Sequence, residues 1–146
     1  MRTGGLVEER IRVYLGDARE FLREAEEEFR RGVESGDLIK VRDAAEKAWN
    51  AVVQATNALL LHALGKVPSS HFERRKMLSM LEDKLEVAEK LGFRDRYSAR
   101  ERNLHELTFQ EGIVDLDEVR RELKKAEKYI NDVSSLMEGS QQPNTP

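Results

Sequence analysis

The stretch AWNAVVQATNALLL, residues 48–61, contains no charged side chain, although 36% of the chain is Asp, Glu, Lys or Arg. Drawn as a helix, it is apolar almost all round, which is typical of a helix buried on every side. Asp37 upstream suits a helix N-cap and Gly65 downstream suits a helix C-terminus. We therefore predict a helix over about residues 38–64 that forms the central rod of an all-helical bundle.

Helical spacing recurs on both sides of this rod, and we see no alternating pattern that would indicate a strand. The spacing predicts further helices over about residues 6–34, 70–91, 94–109 and 116–138. The first seam is formed by Ile11, Leu15, Ala18, Leu22, Ala25 and Phe29. The turn at Ser35-Gly36-Asp37 is so short that the helices it joins must lie antiparallel. We expect an all-α, antiparallel up-and-down bundle of about four to five helices, with residues 1–138 as one domain and 139–146 as a disordered polar tail.

Composition excludes several classes of function. The net charge is −3, which gives no overall attraction to nucleic acid or to an anionic membrane. The absence of Cys excludes disulfides and thiolate metal sites, and it agrees with a reducing, cytoplasmic location. Polar side chains within the uncharged stretch argue against a membrane span. The abundance of Glu, Lys and Arg is also typical of a heat-adapted source.

Three amides lie on one stripe of the central helix. Asn50, Gln54 and Asn57 are spaced i, i+4 and i+7, and Trp49 lies beside them. A buried amide without a partner costs about 1–3 kcal/mol, so these side chains need hydrogen bonds. We predict that Trp49, Asn50, Gln54 and Asn57 form a subunit interface. The alternative is that the stripe is the least buried edge of the helix.

A second region rich in arginine lies late in the chain. Arg94, Arg96 and Arg102 are candidates for binding nucleic acid through phosphate. Acidic residues are interleaved with them, so a solvated surface of salt bridges is an equally good interpretation.

Arg100 and His105 in this region leave four residues between them, as in the stretch RERNLH. That spacing, the helix ending at Leu64 and the Pro68-Ser69 loop after it resemble the HEPN superfamily, and most of all its archaeal PaREP-type branch. The likeness covers roughly residues 6–136. It implies cleavage of RNA without metal, with His105 as the acid or base and Arg100 holding the phosphate. It also implies a homodimer in which two copies of the motif face one cleft.

Helical geometry complicates this assignment. Residues five apart in a regular α-helix diverge by about 140°, so Arg100 and His105 would lie on different faces, while Arg102 and His105 would share one. Glu101 would also place negative charge next to any bound phosphate. The alternative for His105 is a surface or capping histidine. We interpret His62 and His71 as structural, and we expect no metal and no cofactor.

Two other functions remain open from the sequence. Some relatives implied by the resemblance act as non-catalytic partner subunits of a nucleotidyltransferase in toxin–antitoxin pairs. A purely structural homodimer is the third reading. The sequence itself does not choose among them.

Overall fold

The computed structural model describes residues 3–141, with side chains described for residues 5–139. Within that range every regular element is helical and there is no strand, as predicted. The elements are α1 (Thr3–Ser35), α2 (Leu38–Leu64), α3 (His71–Lys84), α4 (Glu86–Leu91), α5 (Phe93–Arg100), a π-helical segment (Glu101–Gln110) that continues α5, and α6 (Leu116–Gln141).

The first two helices form an antiparallel hairpin, which confirms the prediction from the short turn. Gly36 adopts a left-handed conformation with φ of 69°, and the carboxylate of Asp37 accepts hydrogen bonds from the backbone N–H groups of Ile39 and Lys40. The helices approach closely at Gly32, where an added Cβ would lie 3.0 Å from the Cβ of Lys40. A short turn and a small residue at the crossing therefore hold α1 against α2.

The central rod is α2, whose observed bounds agree with the predicted ones. It packs against α1, α3, α5, α6 and the π-helical segment, and Trp49 in its middle is only 1% exposed. A buried hydrogen bond of 2.7 Å joins the hydroxyl of Thr56 to that of Tyr129 and ties α2 to α6. Burial raises the pKa of Tyr129 above its ordinary range, so this phenol stays protonated.

The third predicted helix is interrupted. Leu85 is extended, with φ −126° and ψ 113°, so α3 ends at Lys84 and the short α4 begins at Glu86. At the other end of α3, the hydroxyl of Ser70 accepts from the N–H of Glu73, and the Glu73 carboxylate accepts from the N–H of Ser69. This reciprocal cap fixes where α3 begins, close to the central rod.

The last helix runs through Gln141, so the first three residues of the expected polar tail are helical. Residues 142–146 of that tail lie outside the described part of the chain. Among the described helices, none is both long enough and apolar enough to cross a bilayer. The division into a domain and a tail otherwise remains a prediction.

Candidate functional site: a histidine cluster beside a buried arginine

The segment that carries the predicted motif is wound as a π-helix rather than as an α-helix. Over Glu101–Gln110 the turns are one residue longer, as seen where the N–H of Glu111 donates to the carbonyl of Glu106 at 2.9 Å. Such windings are rare and are frequently found at functional sites. The winding also changes which side chains share a face of the helix. Because the hydrogen bonds run from residue i to residue i+5, residues five apart lie close to one face, on successive turns.

Arg100 nevertheless directs its side chain into the interior. The guanidinium Nε lies 2.6 Å from Glu122 Oε1 and Nη2 lies 3.4 Å from Oε2, and the two side chains are 6% and 5% exposed. Asn103 donates to the same carboxylate at 3.1 Å. This arrangement joins the motif segment to α6 through a buried ion pair.

His105 points instead towards α2. Its Nδ1 lies 2.8 Å from the carboxylate of Glu46, and the two side chains are 19% and 24% exposed. The imidazole lies between aromatic neighbours, with its centroid 6.0 Å from that of Trp49 and 6.3 Å from that of Phe109. Since a carboxylate accepts hydrogen bonds, the contact with Glu46 assigns a proton to Nδ1 of His105, and the neutral form of the ring then has its lone pair on Nε2.

A second imidazole stands next to the first. The His71 centroid is 5.9 Å from that of His105 and 5.2 Å from that of Trp49. Its Nδ1 lies 3.0 Å from Nη1 of Arg74 and 3.1 Å from the hydroxyl of Tyr97. Because a guanidinium only donates, Nδ1 of His71 accepts and the proton lies on Nε2. The two rings therefore present opposite groups, a lone pair on His105 and an N–H on His71.

Burial shifts the pKa values of both His71 and Tyr97. Desolvation lowers the pKa of His71 below its ordinary value, more than the neighbouring Glu101 raises it, and the nearby Arg74, His105 and Arg75 lower it further. Burial also raises the pKa of Tyr97 to about 12. At neutral pH the imidazole of His71 is therefore uncharged and the phenol of Tyr97 keeps its proton.

Two arginines of α3 frame these rings. Arg74 donates from Nε to the amide oxygen of Asn57 at 2.9 Å, and Arg75 lies 2.6 Å from Glu101, with the Arg75 side chain 30% exposed. The carboxylate of Glu101, which we expected next to any bound phosphate, is thus paired with the guanidinium of Arg75. We call Glu46, Trp49, His71, Tyr97 and His105 the histidine cluster.

The three arginines predicted to bind nucleic acid all have acidic neighbours. Arg94 lies 3.6 Å from Asp95, Arg96 lies 2.9 Å from Asp132, and Arg102 lies 3.0 Å from Glu106 and 3.5 Å from Glu111. The interpretation as a salt-bridged surface is therefore closer to the observed contacts. Binding of nucleic acid through these residues remains a prediction.

The residues predicted to form an interface differ in exposure. Trp49 and Asn57 are buried inside the chain at 1% and 5% exposure, and Asn57 receives a hydrogen bond from Arg74. Asn50 and Gln54 are half-buried. Trp49 is thus part of the histidine cluster and Asn57 binds the neighbouring Arg74. Of the four residues predicted to form an interface, Asn50 and Gln54 are the two with surface accessible to a partner.

Sequence reasoning missed most of this cluster. His71 was interpreted as structural, and Glu46 and Tyr97 were not singled out. A local signal did exist for one of them, since Glu46 and Trp49 are three apart and so share a face of the central helix. His71 and His105 lie on separate helices, and only the packing of α3 and of the π-helical segment against α2 brings them together.

Among the described side chains, no group of three or more His, Asp or Glu residues is arranged to hold a metal ion. The histidine cluster itself contains two imidazoles, the carboxylate of Glu46 and the phenol of Tyr97, and the guanidinium of Arg74 contacts it at His71.

A helical bundle with two imidazoles packed against its central helix defines a small all-α protein. The model of the Archaeal PaREP1/PaREP8 family matches residues 13–130, which is well over half of the chain. The chain therefore belongs to the Archaeal PaREP1/PaREP8 family. Neither the curated proteins nor the solved structures contain a significant match.

Proposed function

We propose that this protein cleaves RNA at the histidine cluster, without a metal ion. The observation that carries the proposal is the pair of imidazoles 5.9 Å apart whose partners assign them opposite tautomers. Within the described residues, no hydrogen bond engages Nε2 of either ring. One ring can therefore act as a base and the adjacent ring as an N–H donor.

In the proposed reaction, Nε2 of His105 takes the proton from a ribose 2′-hydroxyl. The 2′ oxygen then bonds to phosphorus, the bond from phosphorus to O5′ breaks, and the leaving oxygen takes a proton from water. Glu46 orients the His105 ring, while the N–H of His71 and the guanidinium of Arg75 stabilise charge on the phosphate oxygens. The products are a 2′,3′-cyclic phosphate and a 5′-hydroxyl.

This mechanism differs from the one implied by the resemblance in its choice of arginine. Arg100 is held by Glu122 inside the chain, so its use as a phosphate ligand would require that buried pair to open. Arg75 is more exposed and adjoins the cluster through Glu101. Membership of the wider HEPN superfamily remains part of the proposal, and it rests on the Arg100 and His105 spacing and on the helical bundle.

The test is cleavage of single-stranded and structured RNA in the presence of a chelator. His105→Ala is expected to reduce the rate about 100-fold or more, because general base catalysis contributes on that scale. His71→Ala is expected to reduce it as well. The matched control is His62→Ala, which removes the third histidine from a position outside the cluster and is expected to leave the rate unchanged.

A wild-type protein that leaves every RNA intact would contradict the proposal. So would cleavage that persists unchanged in His105→Ala, since the activity would then arise elsewhere or from a contaminant. Mapping the product ends adds a further check, because a 3′-hydroxyl product is incompatible with attack by the 2′ oxygen.

A second candidate function is that of a non-catalytic partner, either of a second copy or of a nucleotidyltransferase. The observation favouring it is apolar surface between α4 and the end of α6, where Leu85 and Val87 are 38% and 47% exposed beside a groove of about 500 Å³. Light scattering of the purified protein tests self-association. Co-purification with a nucleotidyltransferase encoded beside it tests the other form.

A further inference from the structure

A cavity of about 360 Å³ opens between α5 and α6, on a part of the surface that shares no residue with the histidine cluster. We call it the basic cavity, because four of the six residues in its wall are cations. Its wall is formed by Asp95, Arg96, Ala99, Arg100, Lys125 and Lys128. Such a concentration of positive charge is unexpected in a chain whose net charge is −3.

Two cations in the wall of the basic cavity, Arg100 and Lys125, share one carboxylate, that of Glu122. Glu122 accepts the guanidinium of Arg100 at 2.6 Å and lies 3.9 Å from Nζ of Lys125. Glu122 is 5% exposed, whereas the side chain of Lys125 is 58% exposed. The negative charge of Glu122 is thus buried and already bonded, whereas more than half of the Lys125 side chain is accessible to solvent.

The other two cations in the wall, Arg96 and Lys128, likewise share one carboxylate, that of Asp132. Oδ2 of Asp132 lies 2.9 Å from Arg96 and 3.3 Å from Lys128, and the side chain of Lys128 is 73% exposed. Asp95 is 91% exposed and lies next to Arg94 at 3.6 Å. Asp95 is offset by Arg94, and the four cations in the wall share the carboxylates of Glu122 and Asp132, which leaves a surplus of two positive charges.

We propose that the basic cavity binds a phosphate group. A phosphate monoester carries a charge of about −1.5 to −2 at neutral pH, which matches this surplus. Each lysine ammonium has three N–H donors and is within range of only one carboxylate, so donors remain for phosphate oxygens. The inference does not depend on RNA cleavage at the histidine cluster.

The experiment compares wild type with Lys125→Gln/Lys128→Gln by titration calorimetry at low ionic strength, where charge interactions are least screened. Both lysines are exposed, so the substitutions leave the buried pair intact. The control is Lys66→Gln/Lys90→Gln, which removes the same charge from other exposed positions. Three probes are used: inorganic phosphate, adenosine 5′-monophosphate, and a single-stranded DNA oligonucleotide that lacks the 2′-hydroxyl.

We expect at least one of these probes to bind wild type, and to bind the Lys125/Lys128 variant about tenfold more weakly because two charge-assisted contacts are lost. The control variant is expected to bind as wild type does. Loss confined to the oligonucleotide would identify a polynucleotide backbone as the source of the phosphate, and loss for the small probes would identify a free phosphate or nucleotide. If no probe binds wild type, or if both double variants bind equally, the proposal is overturned.

Discussion

The buried pair of Arg100 and Glu122 makes the sharpest prediction about stability. Replacing Arg100 with Met removes two hydrogen bonds from a carboxylate that is 5% exposed. Breaking a buried ion pair from one side costs about 3–5 kcal/mol, because a charge is left without its partner. Asn103 still donates to Glu122 at 3.1 Å and Lys125 remains 3.9 Å away, so we expect the lower end, about 3 kcal/mol.

The assay is urea unfolding followed by circular dichroism, supported by the melting temperature. For a chain of this size, about 3 kcal/mol corresponds to a fall of roughly 6–12 °C. The double variant Arg100→Met/Glu122→Met removes both charges and is expected to recover to within about 1 kcal/mol of wild type. The control Arg102→Met removes an arginine that is 56% exposed and is expected to change stability by less than about 0.5 kcal/mol.

A loss below about 1 kcal/mol in Arg100→Met would refute this reasoning, as would a double variant no more stable than the single one. The double variant also separates folding from chemistry. Since it keeps the bundle folded, its rate of RNA cleavage measures directly whether Arg100 takes part in the reaction.

Two further predictions concern the helix crossing and the histidine cluster. Gly32→Ala is expected to destabilise the protein by about 1–3 kcal/mol in urea unfolding, because its Cβ would lie 3.0 Å from Lys40 and Val41. Gly16→Ala on the same helix meets nothing within 4 Å and should stabilise by about 0.5–1 kcal/mol, so equal effects would contradict the argument. His71 has a pKa lowered by burial from its ordinary 6.5, so the unfolded chain takes up a proton before the folded one does. The contribution of neutral His71 to stability is then present above pH 6.5 and is lost as the pH falls through the folded pKa. The free energy of unfolding should therefore be smaller at about pH 5 than at about pH 7.5, and this difference should shrink in His71→Phe. Titration of the folded protein by NMR should give a midpoint for His71 below 6.5.

The sequence predicted those parts of the fold that have local causes. Asp37 and Gly65 are capping residues, and α2 begins and ends beside them. The extended residue at Leu85 carries no comparable signal, because neither Gly nor Pro marks the break between α3 and α4. Leu81 and Ala88, which would share a face with Leu85 in an unbroken helix, are buried, whereas Leu85 is 38% exposed.

The candidate site was less predictable because its contacts join distant parts of the chain. His105 and Glu46 are 59 residues apart, and Arg100 and Glu122 are 22 apart. A motif search identifies Arg100 and His105 but contains no information on which helix each side chain meets. The partners depend on the winding of one segment and on how α3 and α6 pack around it.

The π-helical winding of Glu101–Gln110 has a consequence for how relatives are compared. The number of residues between the arginine and the histidine of the motif gives the angle between their side chains around the helix axis only when the number of residues per turn is known. A relative with one residue fewer in this stretch could return to α-helical pitch and still aim its imidazole at the same carboxylate. In relatives, a carboxylate at the position of Glu46 is therefore a better criterion for an equivalent site than a fixed number of residues between the arginine and the histidine.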